Sequence, residues 1–324
     1  MAKPHMCSPE TLARDLSGKI YVVTGANSGI GTITAGQLVK QGAHVIMGCR
    51  RVEEGEEVAK SFDTGRGGTT TVLRLDLGEL ASVREFAEQA STVHGGTLHG
   101  LVNNAGVMNT PQGKTKDGFE TQIGVNHLGH YLLTELLLEA LEQGAPSRVV
   151  NVSSCYHDKA MGREGRIDLE DLHFENRKYD GWTSYAQSKL ANLLHAKSLA
   201  ERCKDSGITA VSVHPGWVRT RLARNTMPLW VQDFVMRPVL SLIGMIEPWE
   251  GSQTTLHALL AKDVEEHNGE FYSQLGIYRE KSSNRGGWPM RSPNPHAHDM
   301  ETARALDTLS RQLVGLADAQ AQAS

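Results

Sequence analysis

The 324-residue sequence predicts an α/β fold in which helices cover both faces of a doubly wound parallel sheet, as a single domain. Short runs rich in β-branched residues alternate with longer runs of helical periodicity, which is typical of that architecture. The first short run leads through a glycine-rich loop directly into a helix. Small polar residues follow several later runs, at the sheet edge where open parallel sheets hold their ligands.

The first predicted strand, residues 19–24, leads into Thr-Gly-Ala-Asn-Ser-Gly-Ile-Gly, and a predicted helix covers residues 30–40. In this context the first glycine permits a tight turn, the second lets a phosphate approach the backbone, and the third lets the helix pack on the strand. Free N–H groups at the helix N-terminus attract the anion. The predicted nucleotide-phosphate site consists of Gly25, Asn27, Ser28, Gly29, Ile30 and Gly31.

The second predicted strand, residues 43–48, ends without the acidic residue that binds the adenosine ribose of NAD. Cys49 takes that position, and Arg50 and Arg51 follow it. Guanidinium groups suit a 2′-phosphate, so the pattern predicts NADP(H) as the cofactor, with both arginines near that phosphate. The alternative interpretation is an ordinary basic loop.

The later predicted strands, residues 70–75, 99–102, 148–152 and 208–213, each end in polar or small residues. A predicted helix over residues 119–142 carries Asn126. We expect these strand ends to line the ligand crevice, with the acid after the third strand beside the adenine. The candidates are Asp76, Leu77, Asn103, Ala105, Gly106, Ser153, Ser154, Pro215, Gly216, Val218 and Thr220.

Tyr185 and Lys189 stand four residues apart in the run 183–192, which contains no glycine or proline and predicts the start of a helix. At that spacing the two side chains share one helix face. An ammonium nearby favours phenolate over phenol, and would lower the pKa of Tyr185 toward the range of a useful general acid or base. A half-buried tyrosine beside a solvated lysine is the alternative.

Together these motifs resemble the short-chain dehydrogenase/reductase superfamily over about residues 15–275, which implies a Rossmann-type domain followed by a C-terminal extension over about residues 276–324. Finer features are similar to its retinol-dehydrogenase-like branch. These features are Cys-Arg-Arg at 49–51, Leu-Asp-Leu at 75–77, Val-Asn-His-Leu-Gly-His at 125–130, Ser-Lys-Leu-Ala-Asn at 188–192 and Gly-Ser-Gln-Thr-Thr at 251–255.

The resemblance implies reversible hydride transfer between the nicotinamide and a carbonyl carbon. Tyr185 would exchange the proton with the substrate oxygen, and Lys189 would lower the pKa of Tyr185 and bind the nicotinamide ribose. Ser154, the second serine of its pair, would hydrogen-bond the substrate oxygen, while Asn126 would hold a water that links Lys189 to solvent. Val218 and Thr220 would fix the carboxamide.

The bulk composition excludes several other classes of function. A formal net charge of −4 argues against a nucleic-acid partner. The four cysteines lie far apart, which suits a reducing cytoplasm better than a disulfide framework or a thiolate metal site. His127 and His130 have no third ligand in view, so we expect packing histidines and no metal. We find no signal peptide and no transmembrane segment.

The substrate is expected to be a small molecule, and the run 227–246 indicates that it is apolar. This run is rich in Leu, Val, Ile, Met, Trp and Phe, and it follows Thr220, where the superfamily places a mobile segment that covers the substrate. An apolar lid would favour a bulky apolar substrate. A packing helix, a homo-oligomer interface and a membrane contact remain equally open interpretations.

Two other functions fit the same fold. One is reduction of a carbon–carbon double bond, as in the light-dependent protochlorophyllide reductases, which share Tyr-x-x-x-Lys. The other is a non-catalytic NADP(H)-binding sensor. Ser154 and the intact Asn-Asn-Ala-Gly run favour carbonyl chemistry over the first. The complete set of Asn126, Ser154, Tyr185 and Lys189 argues against the second.

Overall fold

The structure, a computed structural model, describes residues 3–218 and 245–316. Its centre is a sheet of seven parallel strands in the order β3-β2-β1-β4-β5-β8-β9. The chain winds outward from β1 to β3, returns to pair β4 with β1, and then winds outward the other way. The strands are β1 Ile20–Thr24, β2 His44–Cys49, β3 Thr69–Arg74, β4 Gly100–Asn103, β5 Ser147–Val152, β8 Ile208–His214 and β9 Phe271–Ser273, and a two-stranded hairpin adds β6 Lys159–Ala160 and β7 Arg163–Glu164.

Helices cover both faces of this sheet, because consecutive strand residues point to opposite sides. Val22 packs in one apolar core and its neighbour Val23 in the other, and both are fully buried. The predicted doubly wound α/β fold is therefore confirmed. The helices are α1 Pro9–Ala13, α2 Gly29–Lys40, α3 Val52–Lys60, α4 Leu80–Thr92, α5 Thr121–Ile123, α6 Gly129–Leu136, α7 Leu138–Gln143, α8 Gly181–Arg202, α9 Pro248–Leu260 and α10 Met300–Leu313.

The sequence prediction differs from the structure in one divided helix and in several elements that were not predicted, among them α3, α9, α10 and the β6–β7 hairpin. The helix expected over residues 119–142 is divided into α5, a π turn at Gly124–Leu128, α6 and α7. The edge strand β9 was not predicted, because it has only three residues and its pairing with β8 spans a long stretch of chain. The six other parallel strands begin and end within a residue of their predicted bounds.

The C-terminal extension packs against the same domain through α10, which contacts α8 and α6. The carboxylate of Glu135 lies at this contact with only 4% of its side chain exposed. It pairs with the guanidinium groups of Arg202 and Arg311, and Arg202 also pairs with Asp307 of α10 at 3.3 Å. A buried carboxylate between two guanidiniums therefore ties the extension to the helices of the sheet.

Replacing Glu135 with alanine should lower the free energy of unfolding by about 3 kcal/mol, because it leaves the two guanidiniums without their buried counter-charge. Glu201→Ala is the matched control, since Glu201 pairs with Arg304 across the same helix contact but in solvent. Urea unfolding of both variants measures the effect. Equal stability of the two variants would contradict a buried anchor at Glu135.

Candidate active site

The carboxyl ends of β1, β4, β5 and β8 meet at one edge of the sheet, where the glycine-rich loop opens into α2. Gly25 and Gly29 have φ angles of +66° and +59°, in the left-handed region that favours glycine. A Cβ added to Gly31 would lie 2.5 Å from the Gly25 carbonyl oxygen and from the Asn104 side-chain nitrogen. The loop is thus shaped to bring backbone N–H groups close to a phosphate, and its residues fit a dinucleotide.

The hydroxyl of Thr24 ties the glycine loop to the run after β4. Its oxygen accepts hydrogen bonds from the backbone N–H groups of Asn104 and Ala105, both at 2.9 Å. The Asn104 side chain in turn donates to the Thr24 carbonyl at 2.8 Å. Asn103 lies behind them and donates to Thr134 and Asn151. The predicted cofactor residues Gly25, Ala105 and Gly106 therefore belong to one rigid unit.

His130 extends this unit to the helix that carries Asn126, a link that the sequence analysis missed. Its Nδ1 lies 3.0 Å from the Asn126 carbonyl oxygen, and its Nε2 lies 2.9 Å from the Thr24 hydroxyl. A carbonyl only accepts, so Nδ1 carries the proton and Nε2 accepts from Thr24. Burial lowers the pKa of His130 to about 4, which keeps this ring neutral.

The two candidate arginines after β2 have different surroundings. Arg51 pairs through Nε with Glu54 at 2.8 Å, and the other carboxylate oxygen of Glu54 accepts from Asn27 of the glycine loop at 3.3 Å. Arg50 is exposed and forms no ion pair within the described ranges. Burial raises the pKa of the Cys49 thiol to about 11, so this residue itself carries no negative charge at neutral pH.

Asp76 and Leu77 follow β3 at the adenine side of the predicted crevice. One carboxylate oxygen of Asp76 accepts from the backbone N–H of Gly78 at 3.0 Å, which shapes the turn. The backbone N–H of Asp76 donates to the Ser82 hydroxyl, also at 3.0 Å. Leu77 is buried. The side chain of Asp76 thus has a turn-forming role beside its predicted contact with the base.

Lys189 and Tyr185 lie one turn apart on α8, and each is only 3% exposed. The ammonium of Lys189 donates to the Val152 carbonyl at 2.9 Å and lies 5.7 Å from the centre of the Tyr185 ring. Burial without a counter-charge lowers the pKa of Lys189 to about 8. The two residues therefore share a dry position at the carboxyl end of β5.

Burial dominates the ionisation of Tyr185 and raises its pKa above the usual range, while interaction with the Ser154 hydroxyl opposes that rise. The lowering that the sequence analysis assigned to Lys189 stays a prediction, since burial is the largest influence on this phenol. The Lys189 ammonium itself is held by the Val152 carbonyl. Tyr185 is a protonated phenol in this environment.

The two serines after β5 have separate roles. The Ser153 hydroxyl donates to the Lys189 carbonyl at 2.7 Å and so joins the strand end to α8. The Ser154 oxygen accepts from the Tyr156 N–H at 3.2 Å and also interacts with Tyr185. Ser154 is thus the serine that adjoins the phenol, and its catalytic role stays a prediction.

Asn126 lies in the π turn and is fully buried. Its amide oxygen accepts from the Val107 N–H at 2.8 Å, and its amide nitrogen donates to the Val107 carbonyl and the Ser188 hydroxyl, both at 2.9 Å. A Cβ added to Gly106 would lie 3.0 Å from the Asn126 oxygen and 3.6 Å from the Lys189 nitrogen. The amide therefore clamps the loop after β4, a role beyond the predicted water contact.

The loop after β8 carries Pro215, Gly216 and Val218 to the same edge. Gly216 has a φ angle of +94°, and an added Cβ would lie 2.6 Å from the Ile246 side chain. Val218 forms a bridge with Ile246, whose N–H donates to the Trp217 carbonyl at 2.9 Å. Thr220 and residues 227–244 of the predicted lid lie outside the described residues.

A surface that we call the aromatic wall borders Tyr185. It consists of the rings of Tyr156 and Trp182 together with the side chain of Met161. The ring centre of Tyr156 lies 6.1 Å from that of Tyr185 and 5.5 Å from that of Trp182, both in edge-to-face orientation. Met161, at the tip of the β6–β7 hairpin, is 59% exposed and contacts the Tyr156 hydroxyl through sulfur. An apolar surface therefore lies directly beside the phenol.

Neither a metal site nor a membrane span emerges from the ranges that the structure describes. Those residues include no cluster of three or more His, Cys, Asp and Glu side chains that could hold a metal ion. Their helices are too short or too polar to cross a membrane.

The chain is similar to known dehydrogenases along most of its length. Residues 19–164 match the family model described as short chain dehydrogenase. Retinol dehydrogenase 13 from Mus musculus is 42% identical over 308 residues, which cover 93% of this chain and 85% of that protein. Retinol dehydrogenase 11 from Homo sapiens is 46% identical over 269 residues, covering 81% of this chain and 79% of that protein.

A solved structure has a similar fold over most of both chains. The crystal structure of an uncharacterized protein from Mycobacterium paratuberculosis superposes with a TM-score of 0.73 and 36% identity, covering 94% of this chain and 96% of that one. This protein belongs to the short-chain dehydrogenase/reductase family, in its retinol-dehydrogenase-like branch.

Proposed function

We propose that this protein is an NADP(H)-dependent oxidoreductase that interconverts a carbonyl and an alcohol on a bulky apolar substrate. The observation that carries the proposal is the placement of Ser154 and Tyr185 beside the aromatic wall and the buried Lys189 ammonium, at the end of the sheet where the glycine loop also lies. Such a site has a hydrogen-bond donor for a substrate oxygen and an apolar surface for its carbon skeleton.

A dinucleotide held at the loop of Gly25, Gly29 and Gly31 would supply the hydride for the carbonyl carbon in the reductive direction. Tyr185 donates its phenolic proton to the oxygen that gains charge, and Ser154 holds that oxygen by a hydrogen bond. Lys189 stabilises the phenolate that remains, because its ammonium lies in the same dry position. Asn126 fixes the loop after β4, and with it the position of Gly106 beside Lys189.

Arg50 carries the proposed preference for NADP(H). It is exposed at the end of β2, whereas Arg51 shares its charge with Glu54. The neutral Cys49 thiol neither binds a ribose diol nor repels a phosphate. The 2′-phosphate would therefore meet the Arg50 guanidinium, while the carboxylate described there, that of Glu54, is paired with Arg51. We retain Arg51 as a weaker contributor, since its pairing with Glu54 is on the surface.

Two observations separate this function from its alternatives. Carbon–carbon double-bond reduction has no use for a serine hydroxyl beside the phenol, and here Ser154 adjoins Tyr185. A sensor that only binds the cofactor need not keep a proton donor and a hydroxyl for a substrate oxygen, and here Tyr185 and Ser154 lie side by side. For location we propose the cytoplasm, because the four cysteines are free and suit a reducing compartment.

Tyr185→Phe keeps the ring but removes the proton, so turnover should fall at least about a hundredfold while NADPH binding persists. Lys189→Ala should weaken both. Tyr272→Phe is the control, because Tyr272 is fully buried and its hydroxyl has no hydrogen-bond partner among the described residues. The assay follows NADPH oxidation with aldehydes, ketones, steroids, quinones and retinal. Turnover by Tyr185→Phe above about a hundredth of wild type would refute the general-acid role.

Wild-type kcat/KM should favour NADPH over NADH by roughly ten- to a hundredfold, because a charge-assisted phosphate contact contributes about 1.5–3 kcal/mol. Arg50→Ala should remove most of that preference by weakening NADPH and leaving NADH nearly unchanged. Arg51→Ala, the matched control, should lose less. Cys49→Asp should reverse the preference, because it adds a ribose acceptor and repels the phosphate. Equal kcat/KM for both cofactors in the wild type would end the assignment.

Trp182→Ala should raise KM for bulky apolar carbonyl substrates by about fivefold and leave KM for small polar ones nearly unchanged. The reason is that the substitution removes apolar surface from the aromatic wall without touching the proton donor. Steady-state kinetics with a paired set of large and small aldehydes measures the difference. An equal change for both substrate classes would show that the wall acts through folding and not through substrate contact.

A further inference from the structure

The turn that carries Ser154 is held by His157, three residues later. The Ser154 carbonyl oxygen accepts two hydrogen bonds from His157, at 3.0 Å from its backbone N–H and 2.6 Å from its ring Nδ1. The Ser154 hydroxyl oxygen accepts a third from the Tyr156 N–H at 3.2 Å. His157 is fully buried and packs edge-on against Phe271, with ring centres 4.9 Å apart. The orientation of Ser154 therefore depends on the position of this imidazole.

The other side of the imidazole is bound by the C-terminal extension. Nε2 of His157 lies 2.6 Å from the Ser292 hydroxyl, and Ser292 is 5% exposed. Because the Ser154 carbonyl only accepts, Nδ1 carries the proton in the neutral ring, and Nε2 must accept from Ser292. The Ser292 oxygen is then free to accept, and the Asn294 N–H donates to it at 3.1 Å. These hydrogen bonds therefore all run in the same direction, from Asn294 through Ser292 and the His157 ring to the Ser154 carbonyl.

Asn294 adds a second attachment at the same turn. Its side-chain nitrogen donates to the His157 carbonyl at 2.6 Å and to the Gly165 carbonyl at 2.9 Å, and the residue is fully buried. Arg279, also in the extension, donates from its backbone N–H to the Asp158 carboxylate at 2.6 Å. Three residues of the extension therefore bind two consecutive residues of this turn, His157 and Asp158, while α10 anchors the extension to the helices of the sheet.

We propose that the C-terminal extension positions Ser154 for catalysis, with Ser292 fixing the tautomer and orientation of His157, and His157 fixing the Ser154 carbonyl. His157 and Ser292 are positioning residues, since neither touches the reacting atoms. The inference rests on the proposed role of Ser154 in holding the substrate oxygen. A purely structural extension would predict losses of stability alone, without a selective effect on turnover.

Ser292→Ala tests the proposal, because it removes the hydroxyl and leaves His157 in place. We expect kcat to fall about three- to tenfold while the dissociation constant for NADPH, measured by fluorescence titration, stays as in the wild type. Ser292→Thr keeps the hydroxyl, so its kcat should stay close to the wild-type value, in contrast to Ser292→Ala. Arg84→Met is the matched control, because Arg84 anchors the end of the same extension by donating to the Val314 carbonyl at 2.7 Å, away from the turn.

A readout independent of activity is the ring of His157 in protein labelled with ¹⁵N-histidine, assigned by comparison with His157→Asn. The wild type should show a neutral ring protonated at Nδ1, and Ser292→Ala should show a mixture of tautomers or a shifted Nδ1 signal. If the wild type reduces no carbonyl, the proposed function fails, and this spectrum still decides whether Ser292 fixes the ring.

Three results would overturn the positioning proposal: wild-type kcat in Ser292→Ala, an equal fall in Arg84→Met, or no rescue by Ser292→Thr. An Nε2-protonated ring in the wild type would overturn it as well. If Ser292→Ala does not fold, Ser292→Cys, which keeps the volume with a weaker donor, replaces it in the same assays, and the same outcomes apply.

Discussion

The site depends on a buried ammonium group. Lys189 is 3% exposed, and its nitrogen donates to the carbonyl at the end of β5 at 2.9 Å. Removing an ammonium from water costs several kcal/mol, so the surroundings must hold it closely. Ser153 binds the Lys189 carbonyl, and Asn126 fixes the loop on its other side. The strand end, the π turn and α8 meet around this charge, and the Tyr185 ring lies one turn away from it on α8.

Most of the fold could be predicted from the sequence because it depends on local patterns. The β-branched runs and the glycine loop have defined periods and spacings, and they mark the six long parallel strands and α2 nearly to the residue. The pair Tyr185 and Lys189 could be placed on one helix face for the same reason. Short-range spacing is a property of the sequence itself, so no tertiary contact has to be known.

The rest of the site could not be predicted because it depends on contacts between distant residues. His130 was expected only to pack. Its ring in fact joins Thr24 to Asn126, because the fold places the Thr24 hydroxyl and the Asn126 carbonyl on its two nitrogens. Arg51 could not be separated from Arg50 until Glu54 was placed beside it. The attachment of Ser292 to His157 joins residues 135 positions apart. No sequence period records any of these contacts.

The π turn at Gly124–Leu128 has a consequence for the helix that contains it. A π turn holds one residue more than an α turn, so it shifts the register of a helix without ending it. Ile123 before it and Leu132 after it are both fully buried, while Asn126 between them reaches Val107. Deleting one residue here would shift the register between these two residues and turn the amide away from Val107. The extra residue therefore lets one helix bury apolar side chains on both sides of the turn and still direct the Asn126 amide at the loop after β4.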